Sequence, residues 1–336
     1  MSAMRSASRR DFLKECFTGA AVLRASGTMG LLAAAQQGAA LAKSRVVIAR
    51  DNLLRGTGST VDSRRMLGLL DRAMQTMFDR DRPIEAWSKL VHPGETVGLK
   101  VNALGGRGLS SNLQLVEAIC GRLQEAGIKA GDIVVWDRDS DEMERAGFHL
   151  STGGNGVQCF GTDRVDYEPE LVAHGSVGSR LSRILTQRSS VLINVPVLKD
   201  HDGAGVTIAL KNMYGVVHNP NKYHPNGCNP YIADLNMLPE VRSRMRLTIC
   251  DATTAQYEGG PAYKPEHSWK ENALIVSQDP VALDHTGWQI IERKRAENGL
   301  KTLEAEGRAP HYIATAADAE HRLGTNDPRR ITIAEV

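Results

Sequence analysis

The chain has 336 residues, 41% hydrophobic and 24% charged, enough to bury a sizeable α/β core, with no apolar run of the roughly 20 residues that a membrane span needs. Forty-one Lys and Arg stand against 39 Asp and Glu, and without residues 1–42 the balance is 36 against 37. A nearly neutral chain with no basic block and no aromatic-rich basic stripe excludes nucleic acid as an expected partner.

Residues 1–42 read as an export leader. Ser8-Arg9-Arg10-Asp11-Phe12-Leu13-Lys14 matches the twin-arginine pattern, a weakly apolar Ala- and Gly-rich region follows, and Ala40-Leu41-Ala42 is an A-x-A cleavage site. The expected partner is the twin-arginine translocase, and the mature protein is expected to be soluble, in the periplasm or outside the cell. That route carries proteins folded in the cytoplasm, which raises the expectation of a cofactor. Of the five Cys, Cys16 lies in the leader, and Cys120 and Cys250 sit in apolar patterns as small buried hydrophobes. Cys159 and Cys228 have no clear surroundings, and a disulfide among these four Cys could take any of three pairings. No C-x-x-C occurs, so no iron–sulfur cluster is expected in this chain.

The elements follow in chain order. Ser44 to Ala49 predicts a strand, and Met66, Leu69, Leu70, Ala73, Met74 and Met77 mark a helix from Asp62 to Phe78. Thr96 to Val101 is the next strand, ending in Lys100-Val101-Asn102 and a Gly-rich loop, Ala103 to Gly108. Ser111 or Asn112 caps a helix to about Ala126, with Gly127 as its stop, and DIVVWD, Asp132 to Asp137, is again a strand. Strand, Gly-rich turn, helix and strand make a βαβ unit and hence a parallel sheet. The loop resembles a phosphate cradle without the dinucleotide or Walker spacing. Residues 138–180 read as loop-rich, with a short strand at Val157 to Phe160, and a helix is expected at Leu181 to Gln187. The domain expected is a single α/β unit over 43–336, or two subdomains split near 140–185. Its fold class is a mostly parallel sheet with helices on both faces, in a Rossmann-like three-layer arrangement.

The stretch Asn194 to Cys228 concentrates chemistry. An apolar strand, Ser190 to Val197, leads into Lys199, Asp200, His201 and Asp202; Val206 to Tyr214 reads as a short helix carrying Lys211 and Asn212; His218 and His224 follow in a turn-rich loop. Tyr231 to Leu238 is a further helix, Met245 to Cys250 a strand ending in Asp251, and Ala273 to Val276 a strand leading to Asp279-Pro280. Asp279 reads as the N-cap of the next helix, which carries Asp284 and runs to about Asn298-Gly299. A C-terminal helix near Ala314 to Leu323 and a strand from Arg330 to Ile333 close the chain.

Parallel strands end on one edge of a doubly wound sheet, so polar residues at strand ends are expected to converge there. Two chemistries suit them. His201, His218, His224, Asp251 and Asp284 are ligand types for a divalent metal, Zn, Fe or Mn. Lys100, Lys199 and Lys211, with Asn102 and Asn212 as amide donors, suit a small anionic substrate, and a Lys of lowered pKa would serve as a base.

Lys100-Val101-Asn102, Pro196-Val197-Leu198-Lys199-Asp200-His201, Thr207-Ile208-Ala209-Leu210-Lys211-Asn212-Met213-Tyr214-Gly215, Gly259-Gly260-Pro261 and Asp279-Pro280-Val281-Ala282-Leu283-Asp284 resemble, in order, motifs of the domain of unknown function 362 family. The resemblance spans roughly residues 95–290. Some members of that family carry iron–sulfur ferredoxin modules, which implies a redox partner. The function expected is an exported metal-dependent enzyme acting on a small anion, with Lys100, Lys199, His201 and Lys211 catalytic and Asn102 and Asn212 holding substrate. The alternative is a non-catalytic periplasmic binding or accessory protein, or a maturation factor, associated with a redox complex.

Overall fold

A computed structural model describes residues 43–336; the expected leader lies outside them. Thirteen strands run β1 Ser44–Arg50, β2 Val97–Val101, β3 Ile133–Trp136, β4 Gln158–Cys159, β5 Val172–His174, β6 Val177–Ser179, β7 Val191–Val195, β8 Val197–His201, β9 Gly205–Thr207, β10 Met245–Gln256, β11 Ser268–Trp269, β12 Ala273–Ser277 and β13 Ile331–Glu335. The helices are α1 Ser63–Phe78, α2 Pro83–Leu90, α3 Leu113–Glu125, α4 Ser140–Ala146, α5 Arg183–Arg188, α6 Ala209–Asn212, α7 Tyr231–Met237, α8 Pro239–Arg242, α9 Pro280–Glu297 and α10 Tyr312–Ala317.

The main sheet has the order β13-β1-β12-β10-β7-β2-β3-β4. It is mostly parallel, as expected. Along this order the exception is β12, antiparallel to both β1 and β10; β9 and β11, off that path, also pair antiparallel, with β8 and β10. Alternate residues of each strand feed two cores. Val97, Leu99 and Val101 of β2 join Met66 and Leu69 of α1, Trp87 of α2 and Ile119 of α3 on one face. Leu192, Cys250 and Ile275 join Leu210 of α6, Leu235 of α7, Ile291 of α9 and Tyr312 of α10 on the other. Helices therefore cover both faces, giving three layers.

Local chemistry explains the element ends. Asp62 accepts the Arg65 N–H at 2.9 Å to start α1, and Asn112 accepts the Gln114 N–H at 3.0 Å to start α3. Asp279 accepts the Val281 and Ala282 N–H groups at 2.9 and 2.8 Å, with Pro280 first in α9, as the sequence predicts.

Three expectations change. The apolar run Ser190 to Val197 is two strands, broken at Pro196, which has no N–H for a ladder. Val206 and Thr207, expected in a helix, form β9 antiparallel to β8; both are β-branched and pack well on a pleat. The segment 138–180 holds the short strand expected at Val157 to Phe160, as β4, and is otherwise more structured than expected, with α4 and the β5–β6 hairpin. Cys120, Cys159, Cys228 and Cys250 are all buried and free. No helix of the described residues is long and apolar enough to cross a membrane.

Candidate functional site

Six of the residues singled out from the sequence meet at one edge of the sheet, where His224 joins them from a loop. Side chains alternate along β2, so Lys100 and Asn102 point away from the face carrying Leu99 and Val101. Beside them Asn194 comes from β7, Lys199 and His201 from β8, and Lys211 and Asn212 from α6. Apart from His224, these residues are all buried.

Their contacts divide into three groups. The Lys100 ammonium is 2.7 Å from an Asp137 oxygen and donates to the Val101 carbonyl at 2.7 Å. A run of amides forms the second group: Lys199 donates to Asn102 Oδ1 at 2.9 Å, Asn102 to Asn212 Oδ1 at 3.0 Å, Asn212 to Asn194 Oδ1 at 2.7 Å, and Asn194 to the Ala209 carbonyl at 2.9 Å. Each amide is thereby oriented by the next. In the third group Lys211 Nζ is 3.3 Å from His224 Nε2 and 4.2 Å from the centre of the Tyr214 ring, while the His201 and His224 rings stack with centres 5.7 Å apart.

Hydrogen bonding sets the imidazole tautomers. His201 Nδ1 accepts the Gly203 and Ala204 N–H groups at 3.0 and 3.2 Å, so its proton sits on Nε2. The Asp202 carboxylate is 3.0 Å from the same Nδ1, but a nitrogen whose lone pair is engaged by N–H groups carries no proton to share. His201 stays neutral, because burial and the nearby Lys211 charge push its pKa down to about 2. His224 Nδ1 lies 3.1 Å from the Pro220 carbonyl and donates to it, leaving the Nε2 lone pair for Lys211. Burial and Lys211 lower the His224 pKa.

Burial also lowers Lys211, opposed by the neighbouring Cys228 thiol. Lys199 falls to about 8, burial outweighing the pull of Asp137 and Asp200. These groups surround a cavity of about 230 Å³, bordered by Lys100, Asn102, His201, Thr207, Lys211 and His224. Lys199 is fully buried and acts from behind Asn102; it is absent from the wall. The Thr207 hydroxyl is buried at this wall without a hydrogen-bond partner.

The other expected residues are elsewhere. Asp251 shares the pleat phase of Leu247 and Ile249, so it faces the opposite core from Lys100. There it accepts the Asn112 and Thr253 N–H groups at 2.6 and 2.8 Å. Its carboxylate thus occupies the start of α3 where a phosphate would dock, which removes the cradle reading of the Gly-rich loop. Because β12 runs antiparallel, Asp279 leaves the sheet at the opposite end from Asn102. Asp284 lies in the right layer but binds the Ala209 and Leu210 N–H groups at 2.7 and 3.2 Å. His218 is exposed and packs edge-on against Tyr167.

The five residues expected as metal ligands are therefore dispersed, and among the described residues no three His, Cys, Asp or Glu side chains gather as a ligand set. The chemistry of the remaining pair fits a metal poorly. Metal-binding imidazoles donate their second nitrogen's N–H outward, whereas His201 accepts there, and the one free lone pair, on His224, already faces an ammonium.

Sequence reasoning passed over Asp137, Asn194 and Thr207. Asp137 closes β3 as Asn102 closes β2, so the same strand-end rule finds it. It also accepts the Ala103 N–H at 2.8 Å. Glu142, bordering the same cavity, has its pKa raised by burial and by Asp137.

Fold and cavity define an α/β protein with a pocket walled by lysines and imidazoles, with Asp137 and Glu142 also on its wall, at the carboxyl edge of a mostly parallel sheet. The chain belongs to the family described as "Domain of unknown function (DUF362)", whose model matches residues 97–289. It is 25% identical over 278 residues to the "Thylakoid-associated protein sll1697" of Synechocystis sp. (strain ATCC 27184 / PCC 6803 / Kazusa), covering 79% of this chain and 82% of that protein. Among solved structures it is similar to the lactate racemase apoprotein from Thermoanaerobacterium thermosaccharolyticum, at TM-score 0.41 and 11% identity over 75% of this chain. A protein from Thermotoga maritima matches at TM-score 0.40 and 8% identity over 72% of this chain. The matched regions span 57% and 60% of those two chains.

Proposed function

We propose that the cavity binds a small organic anion and exchanges a proton with it. Lys211 and His224 are the acid–base pair; Lys100 and Asn102 hold the anion, and His201 Nε2–H and the Thr207 hydroxyl donate to it. The observation that carries this reading is the Lys211 ammonium: its residue is 5% exposed, its hydrogen-bond partners are the neutral His224 imidazole and the Cys228 thiol, and it borders the cavity with no carboxylate in salt-bridge range among the described residues. A buried charge without a counter-ion is costly, and an anionic ligand supplies one. The lowered pKa lets the same amine act as a base nearer neutral pH.

The test is hydrogen exchange. The protein is incubated in D2O with a panel of small carboxylates and phosphate esters, and proton NMR follows loss of the C–H signal beside the acid group. Exchange with one class, abolished in Lys211→Met, supports the reading. Binding without exchange favours the non-catalytic binding protein instead, and no binding by any anion sinks both.

The proposal extends to location: the leader directs the folded protein through the twin-arginine translocase and is cut after Ala42. Mass spectrometry of the exported protein then finds Lys43 as the first residue. Retention inside the cell of an Arg9→Lys, Arg10→Lys variant is the matching expectation, and unchanged export of that variant overturns it.

A further inference from the structure

The lysine cavity has a larger neighbour. A second cavity, of about 650 Å³, is bordered by Arg107, Gly108, Ser110, Tyr263 and Lys270. Two loops wall both spaces. Leu104 and Pro261 border the lysine cavity, and Arg107 and Tyr263, on the same loops, border the larger one. Pro261 and Tyr263 are two residues apart, so their Cα atoms lie within about 7 Å.

The two loops carry an unusual surface. Leu104 and Tyr263 are 50% and 37% exposed, and they are among six large apolar side chains that the described residues leave exposed. Scattered singly they would need no account; here Leu104 borders the lysine cavity and Tyr263 the larger one, on the two loops that wall both. The Tyr263 ring lies so close over Gly108 that a Cβ there would overlap its carbons, so the glycine holds the ring against the loop. On each side a buried hydroxyl lacks a partner: Thr207 in the lysine cavity, Ser110 in the larger one. Arg107 is exposed on the turn Gly106–Gly108 and makes no salt bridge among the described residues.

We propose that the ligand is an organic anion with a planar ring body, whose acid group sits by Lys211 and Thr207 and whose ring passes between Leu104 and Tyr263 into the larger cavity, toward Arg107. This rests on the reading of the lysine cavity as an anion site. A compact oxyanion alone satisfies the lysines and leaves Leu104 and Tyr263 in water. A planar ring covers both side chains, stacks on the tyrosine, and leaves Arg107 for a polar substituent at its far end.

The probes are acetate, benzoate and 2-naphthoate, with 2-naphthalenemethanol as an uncharged control, titrated calorimetrically into the purified protein. Affinity is expected to rise from acetate to 2-naphthoate by about tenfold or more as ring area is buried. Lys211→Met weakens both acids, Tyr263→Ala brings 2-naphthoate down to the acetate level, and Tyr263→Phe keeps the gain. Tyr263 is exposed, so its variants are expected to fold, with circular dichroism as the check. Acetate and 2-naphthoate binding equally well, with both lost in Lys211→Met, overturns the ring body and leaves the anion site standing. A ring gain that ignores Tyr263→Ala, or an alcohol that binds as well as the acid, overturns it too. No binding by any acid overturns this inference together with the anion site.

Discussion

The Asp284 carboxylate on α9 accepts the N–H of Ala209, the first residue of α6, at 2.7 Å. It is a buried acid spent on a backbone end. The turn it pins carries Lys211 and Asn212, so a side chain that never touches the cavity sets where two of its wall residues stand. Such a carboxylate is a positioning residue.

Its protonation links stability to pH. Burial raises the Asp284 pKa from 3.8 to about 7. Between those values the unfolded chain has released the proton and the folded protein still holds it, so this group costs stability as pH rises through the window and adds no further change above it. Asp284→Asn lacks the effect. The variant is expected to be less stable than the wild type at about pH 4.5 by about 1–3 kcal/mol, for the lost acceptor geometry. The gap narrows toward pH 7; denaturant melts of both proteins across that range measure it, and a constant gap counts against the assignment.

Lys199 works in the opposite sense. Its pKa falls from 10.5 to about 8 on burial, so between those values the folded protein has released a proton that the unfolded chain keeps, and stability rises with pH. The wild type is expected to gain on Lys199→Met across this window. Anion binding should weaken as pH rises through about 8, where the ammonium of the folded protein discharges. Calorimetric titration of acetate at several pH values reads the second effect, and a flat profile in the wild type would contradict it.

Gly215 makes room for the Lys100–Asp137 pair. A Cβ there would come within 2.6 Å of Lys100 Cε and 2.8 Å of Asp137 Oδ1. Gly215→Ala therefore forces the lysine off its partner. The expected cost is about 1–3 kcal/mol of stability and loss of anion binding. Unchanged thermal midpoint and affinity would mean that the pair has slack to absorb a methyl group.

His201 should be silent to pH. With two N–H groups on Nδ1 and a pKa near 2, it is expected to stay neutral with the proton on Nε2 throughout pH 5–8. His321 sits between Asp234 and Asp318 at 3.1 and 2.9 Å and its pKa is raised by them against burial, so it should titrate above the usual imidazole range. Nitrogen-15 NMR of labelled histidines distinguishes the two, and a titrating His201 would remove it as a fixed donor.

The strand-end rule brought Lys100, Asn102, Lys199 and His201 together from sequence, because strand position and shared direction are written in apolar runs and βαβ order, and Lys211 and Asn212 were joined to them as further ammonium and amide groups on the helix expected next in the chain. Two things were not legible. One is pleat phase: Asp251 ends an apolar run just as Asn102 does, yet one step of alternation sends it to the other core. The other is strand direction: nothing in Ala273 to Ser277 says that β12 runs antiparallel, so Asp279 was expected at the wrong end. His218 and His224 are six residues apart in the same loop. Only the packing of Tyr214 and Lys211 against His224 decides which of them faces the cavity.

The amide run from Lys199 to Asn194 ties together partners 97 and 110 residues apart, and the pin at Ala209 reaches another 75 residues onward. No contiguous fragment that stops short of α9 contains the whole arrangement. The pocket is therefore complete only when β2, β7, β8, α6 and α9 have found their places. Ligand binding thus reports that the chain from β2 to α9 has folded.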